Sequence, residues 1–314
     1  APLIDQVEAV GHAVRATYQY SAMADVGTLT GEPAYERALN RIWGNITDSR
    51  MHITGGLGAV HGIEGFGPKY ELPNADAFNE TCAAVGNVLF NYRMFLLTKD
   101  AKFLDVAEVA LLNNVLAAVN LEGNRFFYVN PLDADGKFPF NHGTAGRAPW
   151  FGTACCPSNM ARLLPQVPGM TYAHDDEELF ITFFAESATQ LNLRGVNVGV
   201  KQNTNYPNDG NVAITLNPSQ PSTFRLKIRI PTWTKDQFVP GNLYRFTDSP
   251  RLNISLKVNG EPVGLHIVKG FATIEREWTA GDLVTLELPM PCLLYTSDAA
   301  DEGLGVDLGG RRII

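Results

Sequence analysis

Three cysteines and one glutamate have the residue types of a metal site, and they lie in two short segments. Glu80-Thr81-Cys82 forms the first segment, and Cys155-Cys156-Pro157 forms the second. Three thiolates and one carboxylate supply four ligands, a set that suits a tetrahedral Zn²⁺ ion. The pattern therefore predicts a zinc site made of Glu80, Cys82, Cys155 and Cys156.

A second interpretation of the same residues stays open at this point. Residues i and i+2 of a regular helix point away from each other, so Glu80 and Cys82 can share a metal only where a helix begins or is distorted. Free cysteines are also commonly buried as small apolar residues without any metal. A disulfide framework is the least favoured interpretation, because two of the four cysteines are adjacent and the rest are few.

The composition of the chain narrows the classes of function. The 314 residues are 45% hydrophobic and 18% charged, and the formal net charge is −8. A surface that binds nucleic acid needs clustered lysine and arginine, and the sequence has no such cluster, so we expect no nucleic acid partner. No apolar run is long enough to cross a bilayer, so we expect no membrane partner. The sequence leaves the compartment open, and a homodimer is kept open as the assembly.

The elements that must position the candidate ligands are helices. Apolar residues recur at helical spacing through residues 1–170. Asn74 or Asp76 is the predicted N-cap of the third helix, which would begin well before Glu80. The predicted helices cover Leu3 to Met23, Pro33 to Ser49, Ala75 to Leu97, Ala101 to Val119, and a segment after Pro157.

A glycine-rich stretch over residues 54–74 separates the second predicted helix from the third. It contains six glycines and two prolines, which is typical of a long loop. Long ordered loops on a helical scaffold often carry function. We therefore expect this loop to contribute to a site.

From about Thr171 the sequence changes to short runs of β-branched and aromatic residues with turn residues between them. This pattern predicts a β-sandwich over residues 171–291, after a helical domain over residues 1–170. Lys257-Val258-Asn259-Gly260 predicts a hairpin, because Asn-Gly favours a two-residue turn. The predicted strands are Leu179 to Phe184, Gln190 to Leu193, Val212 to Leu216, Phe224 to Ile230, Ile254 to Val258, Phe271 to Glu275 and Leu283 to Leu288.

The residues from Cys292 onwards do not continue the strand pattern. The run Cys-Leu-Leu-Tyr-Thr-Ser-Asp-Ala-Ala-Asp-Glu resembles translated sequencing-library adaptor. We therefore predict that residues 292–314 are an artefactual, unstructured tail and exclude them from fold reasoning, as one excludes an expression tag. The other three cysteines all lie in the helical domain. The chain begins Ala-Pro-Leu without an initiator Met or a signal-peptide pattern, so we expect an internal fragment.

Several ordered blocks of the sequence resemble glycoside hydrolase family 127, the β-L-arabinofuranosidase family. The resemblance extends from residue 1 to about residue 291, and its ordered blocks are more specific than any single short motif. The blocks are Gly11-His12-Ala13-Val14-Arg15, Thr54-Gly55-Gly56-Leu57-Gly58, Glu64-Gly65-Phe66-Gly67, Tyr70-Glu71-Leu72-Pro73-Asn74, Glu80-Thr81-Cys82-Ala83-Ala84 and Cys155-Cys156-Pro157-Ser158-Asn159-Met160-Ala161-Arg162.

The resemblance implies a fold and a site. The family has an (α/α)6 barrel followed by β-sandwich domains, so residues 1–170 would be the C-terminal part of the barrel in an α + β multidomain protein. The four ligands named above would hold Zn²⁺, with Cys155 as the nucleophile and Glu64 as the acid/base. His12 and Tyr128 match positions that contact the sugar. The family's N-terminal barrel helices, which add further sugar contacts, have no counterpart in this sequence.

The implied reaction releases a terminal β-L-arabinofuranosyl residue with retention of configuration. Cys155 would attack the anomeric carbon while Glu64 protonates the leaving oxygen, and water activated by Glu64 would then release the sugar. One alternative is a related barrel glycosidase with another sugar specificity. A second is a non-catalytic carbohydrate-binding protein in which zinc is structural.

Each supporting residue also has a simpler interpretation. Glu64 could be a solvated loop carboxylate, His12 a satisfied core histidine, and Tyr128 a packed strand aromatic. His61 and Glu71 lie in the same loop as Glu64, and only the family pattern favours Glu64 over them.

Two tryptophans complete the candidates. Trp43 and Trp150 could be sugar-stacking platforms, but we expect both to be core residues.

Overall fold

Helices come first along the chain and strands follow, which gives an α + β architecture. The computed structural model describes residues 2–235, 237–247 and 252–291, together with the backbone of residues 295–297. In the described residues, the helix Lys102–Ala110 continues into a π-turn at Leu111–Val115 and a short 3-10 turn at Leu116–Ala118. The helices are α1 (Ala13–Thr30), α2 (Pro33–Ser49), α3 (Thr81–Thr98), α4 (Lys102–Ala110) and α5 (Cys155–Leu163).

Local signals fixed the bounds of α2 but not those of α1. α2 begins at Pro33 as predicted, and the Glu32 side chain accepts a hydrogen bond from the Ala34 backbone N–H. The helix predicted from Leu3 begins only at Ala13. Gly11 has a φ of +77°, a left-handed conformation that interrupts a right-handed helix.

The prediction for the start of α3 was also wrong. The helix begins at Thr81 with Glu80 as the N-cap residue, rather than near Ala75 with Asn74 or Asp76 as the cap. The backbone N–H and hydroxyl of Thr81 bond to carbonyls of a distant segment, residues 127–128. A tertiary contact therefore sets this helix start.

Two sheets form the β-rich part and share one apolar core. The first contains, in spatial order, β1 (Tyr172–His174), β2 (Glu178–Ile181), β6 (Ser222–Arg229), β11 (Phe271–Trp278) and β10 (Ile267–Val268). The second contains, in spatial order, β3 (Ser187–Leu193), β4 (Val196–Thr204), β5 (Asn211–Pro218), β12 (Asp282–Glu287), β8 (Ser255–Val258) and β9 (Glu261–Pro262). Only the β2–β6 pair is parallel among the described strands. Buried residues of both sheets, including Leu226, Ile214 and Leu286, belong to the same cluster.

All seven predicted strand runs overlap observed strands, and the predicted hairpin joins β8 to β9. Asn259 and Gly260 both have positive φ values, as the two-residue turn requires. The longest strand, β4, was missed. Its valines at 196, 198 and 200 do alternate with Asn197, Gly199 and Lys201, so the period-2 signal was present in the sequence.

A third, two-stranded sheet joins β7 (Tyr244–Phe246) to β13 (Tyr295–Ser297). The strand β13 lies within the stretch predicted to be an unstructured tail. The rest of the tail prediction, at residues 292–294 and 298–314, lies outside the described residues.

A buried polar network joins the helical part to the sheets. Arg229 at the end of β6 is fully buried, donates to Asp105 Oδ1 at 2.8 Å and also pairs with Glu108. Tyr206 donates to the second oxygen of Glu108 at 2.9 Å. These contacts attach the β-rich part to α4. No helix within the described ranges has the length and apolarity to cross a membrane.

Candidate functional site

The first two candidate ligands flank the start of α3. Glu80 has extended backbone angles (φ −62°, ψ 132°), and its side chain makes no capping hydrogen bond. Cys82 lies in the first helical turn. Because Glu80 precedes the regular helix, the i, i+2 spacing does not force the two side chains apart. The position of the helix start therefore allows Glu80 and Cys82 to share a metal ion despite their i, i+2 spacing.

The second pair opens α5. Cys155 and Cys156 are the first two residues of this helix. Together with Cys82, all three sulfurs therefore belong to first turns, where unpaired N–H groups and the helix dipole favour negative charge. Helix N-termini are places where thiols readily ionise.

The four side chains meet at one point. Their ligand atoms all lie within 4.8 Å of one another. Glu80 Oε1 lies 3.6 Å from the Sγ atoms of both Cys155 and Cys156. Ligands at zinc-like bond lengths in a tetrahedron are about 3.5 Å apart for sulfur and oxygen and about 3.8 Å apart for two sulfurs. The oxygen–sulfur distances fit a shared metal ion, whereas the Cys82 and Cys156 sulfurs, 3.1 Å apart, are closer together.

The burial of this cluster also fits a cation. Cys82 and Cys156 are fully buried and Glu80 is 2% exposed. Glu80 Oε2 is buried and has no hydrogen-bond partner among the described residues. A buried carboxylate oxygen without a partner is costly, and a bound metal ion would satisfy it. The cluster could therefore hold a metal ion.

Burial and mutual hydrogen bonds raise the pKa values of three of the four groups and lower the pKa of Cys155. Burial, reinforced by the charge of Cys155, raises the pKa of Glu80 to about 7. Hydrogen bonds from Cys156 and Cys82 lower the pKa of Cys155 to about 2. Burial raises the pKa of Cys156, and the hydrogen bond to Cys155 raises that of Cys82. Without a cation, these directions favour the thiolate form of Cys155 and the protonated forms of Cys82 and Cys156.

Glu64 and His12 lie beside this cluster. His12 Nε2 is 3.2 Å from Glu64 Oε2, and ligand atoms of His12, Glu64 and Glu80 lie within 4.8 Å of one another. The Glu64 side chain is 41% exposed, so it is open to solvent and substrate.

The backbone keeps these two side chains together. Ala13 N donates to Glu64 O, and Phe66 N donates to Gly11 O, both at 3.0 Å. A Cβ atom on Gly65 would come within 2.2 Å of the Gly11 carbonyl oxygen. Only glycine permits this close approach, which joins the loop to the start of α1.

Tyr128 lies against the half-buried sulfur of the cluster. Its Oη is 3.0 Å from Cys155 Sγ, at hydrogen-bond distance. Burial raises the pKa of Tyr128, so the hydroxyl keeps its proton and can donate to a Cys155 thiolate. The Tyr128 ring also makes edge contacts with Phe78 and Phe151.

Comparison with known proteins bears on this arrangement. The sequence model of the β-L-arabinofuranosidase GH127 catalytic domain matches residues 1–169, and that of the GH127 middle domain matches residues 178–290. The chain belongs to glycoside hydrolase family 127. The resemblance given by the sequence blocks is therefore confirmed.

Relatives within family 127 are similar over nearly the whole chain. A non-reducing end β-L-arabinofuranosidase of Bifidobacterium longum subsp. longum is 34% identical and aligns with 92% of this chain and 42% of its own length. A solved GH127 β-arabinofuranosidase is 40% identical with a TM-score of 0.91 over 96% of this chain and 46% of its own. A GH127 β-L-arabinofuranosidase from Geobacillus stearothermophilus T6 is 38% identical with a TM-score of 0.83 over 92% and 44%. The chain spans less than half the length of these relatives.

The structure brings together all seven residues that the family 127 resemblance singled out. His12 contacts Glu64, Glu64 lies beside Glu80, and Tyr128 contacts Cys155. By contrast, His61 lies 3.5 Å from Asp76. Neither His61 nor Glu71 belongs to a group of potential metal ligands within the described ranges.

The two tryptophans differ from each other. Trp43 is a core residue as expected, with its indole N–H bonded to Asn91 Oδ1 at 2.7 Å. The same expectation was wrong for Trp150, which is 63% exposed. It precedes Phe151, whose ring contacts Tyr128.

Sequence reasoning missed two residues that support Tyr128. Asn141 is fully buried, and its Oδ1 accepts from the backbone N–H groups of Tyr128 at 2.8 Å and Val129 at 3.3 Å. The imidazole ring of His142 lies 4.4 Å from the ring of Tyr128. The dipeptide His142-Gly143 was an available turn signal, because an X-Gly pair favours a tight turn.

Proposed function

We propose that this chain carries the active site of a retaining glycoside hydrolase that releases terminal β-L-arabinofuranosyl residues from a glycan or glycoside. The observation that supports this most is that Glu64 and Cys155 both lie close to Glu80. A proton donor and a thiol nucleophile at one site are what a two-step displacement needs. The relatives of this chain carry the name of the same activity.

We assign the metal ion as Zn²⁺, held by Glu80, Cys82, Cys155 and Cys156. Three soft thiolates with one carboxylate favour Zn²⁺ over the hard cations that prefer oxygen ligands. The unpartnered Glu80 Oε2 and the 3.6 Å oxygen–sulfur distances support a shared ion. When bound, Zn²⁺ would keep the nucleophilic sulfur deprotonated at neutral pH and hold it in place.

Cys155 is the nucleophile in this proposal because of its position among the three sulfurs. Cys82 and Cys156 are fully buried, whereas Cys155 is only half-buried. A substrate can therefore reach the Cys155 sulfur alone. The Tyr128 hydroxyl at 3.0 Å would donate to this sulfur or to a hydroxyl of the bound sugar.

Glu64 is the acid/base in this proposal. In the first step Cys155 Sγ forms a bond to the anomeric carbon, the glycosidic C–O bond breaks, and Glu64 gives its proton to the leaving oxygen. In the second step Glu64 takes a proton from water, whose oxygen bonds to the same carbon as the C–S bond breaks. Two inversions give net retention. His12, 3.2 Å from Glu64, would orient its carboxyl group.

We also propose how the parts of the chain serve this site. Residues 1–170 would form the C-terminal part of an (α/α)6 barrel and residues 171–291 a β-sandwich packed against it. The buried pairing of Arg229 with Asp105 would hold the two together.

The test compares two cysteine variants of the zinc-loaded chain. Cys155→Ser should abolish hydrolysis of an aryl β-L-arabinofuranoside even at saturating zinc, while far-UV circular dichroism stays near wild type. Cys82→Ser, which removes a buried ligand but not the nucleophile, should bind zinc more weakly and should recover part of its activity at saturating zinc. Turnover that survives in Cys155→Ser would refute the nucleophile. A wild-type chain that binds zinc but hydrolyses no member of a panel of aryl furanosides would favour a structural metal instead.

A further inference from the structure

A tight turn at residues 141–144 presents His142 to the site. Asn141 N donates to Thr144 O at 2.9 Å, and Thr144 N donates to Asn141 O at 3.3 Å. His142 and Gly143, the two central residues, have φ values of +49° and +92°. Two positive φ values are typical of a type I′ turn, which fixes the direction of the side chain at its first central position.

The chain uses the same X-Gly turn in three hairpins of the sheets. The first central residues there are Arg194, Asn259 and Lys269, each followed by glycine, with φ values of +50°, +52° and +48°. Each of these side chains has a polar partner: Arg194 pairs with Glu177, Asn259 donates to Asp282 at 2.7 Å, and Lys269 donates to Thr98 O at 2.8 Å. The turn therefore accepts several residue types and does not itself require histidine.

His142 differs from the other three in what its side chain contacts. The residue is exposed. In the described part of the chain, its imidazole makes no hydrogen bond or ion pair to another residue. The ring instead packs edge-on against Tyr128, with centroids 4.4 Å apart, and against Phe151 at 5.9 Å. Two aromatic contacts thus fix the ring while its nitrogens stay available.

The surroundings of His142 place its imidazole beside Tyr128, whose hydroxyl contacts the proposed nucleophile. The Tyr128 hydroxyl is 3.0 Å from Cys155 Sγ, so His142 flanks the residue that contacts the nucleophile. Asn141, the neighbour of His142, is fully buried and bonds to the backbone on both sides of Tyr128, at Phe126 O and Val129 N. The turn and the Tyr128 segment are therefore one rigid unit.

We propose that His142 is a substrate-contact residue, whose imidazole hydrogen-bonds a hydroxyl of the furanoside bound at Cys155. The inference rests on the proposed function, since it names a further contact for the same substrate. A ring held by aromatic contacts with free nitrogens suits recognition of a sugar hydroxyl, because little side-chain entropy is lost on binding. His142 would contribute to sugar selectivity rather than to proton transfer.

The test is His142→Asn in the zinc-loaded full chain. Asparagine tolerates positive φ better than histidine, so the turn should be as stable or more stable, and the melting temperature should be unchanged or higher. Loss of one neutral hydrogen bond should raise KM for an aryl β-L-arabinofuranoside about two- to tenfold, with a smaller change in kcat. Arg194→Asn, which places asparagine at the same position of the same kind of turn between β3 and β4, is the control and should leave both constants unchanged.

A second readout does not depend on turnover. Iodoacetamide should alkylate the half-buried Cys155, and L-arabinose should slow this alkylation, as measured by peptide mass spectrometry. His142→Asn should need about two- to tenfold more L-arabinose for the same protection. If wild type hydrolyses the glycoside and His142→Asn matches it in KM and in protection, the inference is wrong and the proposed function stands. If wild type shows neither hydrolysis nor protection, the proposed function is wrong and the inference falls with it.

Discussion

The number of protons released when Zn²⁺ binds is the most quantitative prediction for this site. Metal ligands must be deprotonated, so a site that holds protons releases them on binding. Cys82 and Cys156 have raised pKa values and are thiols at pH 7, whereas the lowered pKa of Cys155 makes it a thiolate already. Glu80, with a pKa near 7, is about half protonated. We therefore expect about two to three protons per ion at pH 7.

The same proton count fixes the pH dependence of zinc affinity and its sign. Below pH 7 Glu80 and the two buried thiols all carry protons, so the association constant should rise about 1,000-fold per pH unit. Above pH 7 Glu80 is already ionised and only the two thiols contribute, so the rise should fall to about 100-fold per unit. Ordinary pKa values would give a different result. Three protonated thiols and an ionised carboxylate would keep the steeper slope up to pH 8.

Chelator competition between pH 6 and pH 8 measures these slopes, and calorimetry in buffers of different ionisation enthalpy counts the protons directly. Glu80→Gln is the matched variant, because it keeps the shape of the side chain and removes its proton. It should show the shallower slope, about 100-fold per unit, over the whole range. A slope that stays steep at pH 8 and does not respond to Glu80→Gln would refute the assignment of Cys155 as the thiolate of the metal-free site.

Two further variants test the acid/base residue and the contact between the two parts of the chain. Glu64→Gln should lower kcat/KM about 100- to 10,000-fold for an aryl arabinofuranoside with a poor leaving group and much less for an activated one, whose departure needs no proton; equal losses on both substrates would contradict the assignment. Arg229→Met leaves the buried carboxylates of Asp105 and Glu108 without their partner and should lower the free energy of unfolding by about 3–5 kcal/mol in urea titrations. Arg225→Met, which removes more exposed ion pairs with Glu177 and Glu178 from the same strand, should lower the free energy of unfolding much less, and similar losses in both variants would show that burial does not matter here.

Local sequence signals predicted which helices and strands form better than they predicted the residues at which these begin and end. The bounds of α2 were correct because the proline at its first position acts within the helix itself. The Asn259-Gly260 hairpin was also predicted, since its turn is set by two neighbouring residues. The starts of α1 and α3 were missed because contacts from distant segments decide them, at Gly11 and at Thr81.

The sequence by itself predicted the candidate ligand set Glu80, Cys82, Cys155 and Cys156 from residue type, and the family blocks favoured Glu64 within its loop. Only the tertiary structure decided whether these groups could act together. Glu80 and Cys82 converge because Tyr128 and Val129, from a distant segment, pair with the backbone at Thr81 and Glu80. Glu80 therefore stays extended and the helix begins at Thr81. Burial then distinguishes the half-buried Cys155 from the fully buried Cys82 and Cys156. The exposure of a side chain depends on packing across the whole fold rather than on any local sequence pattern.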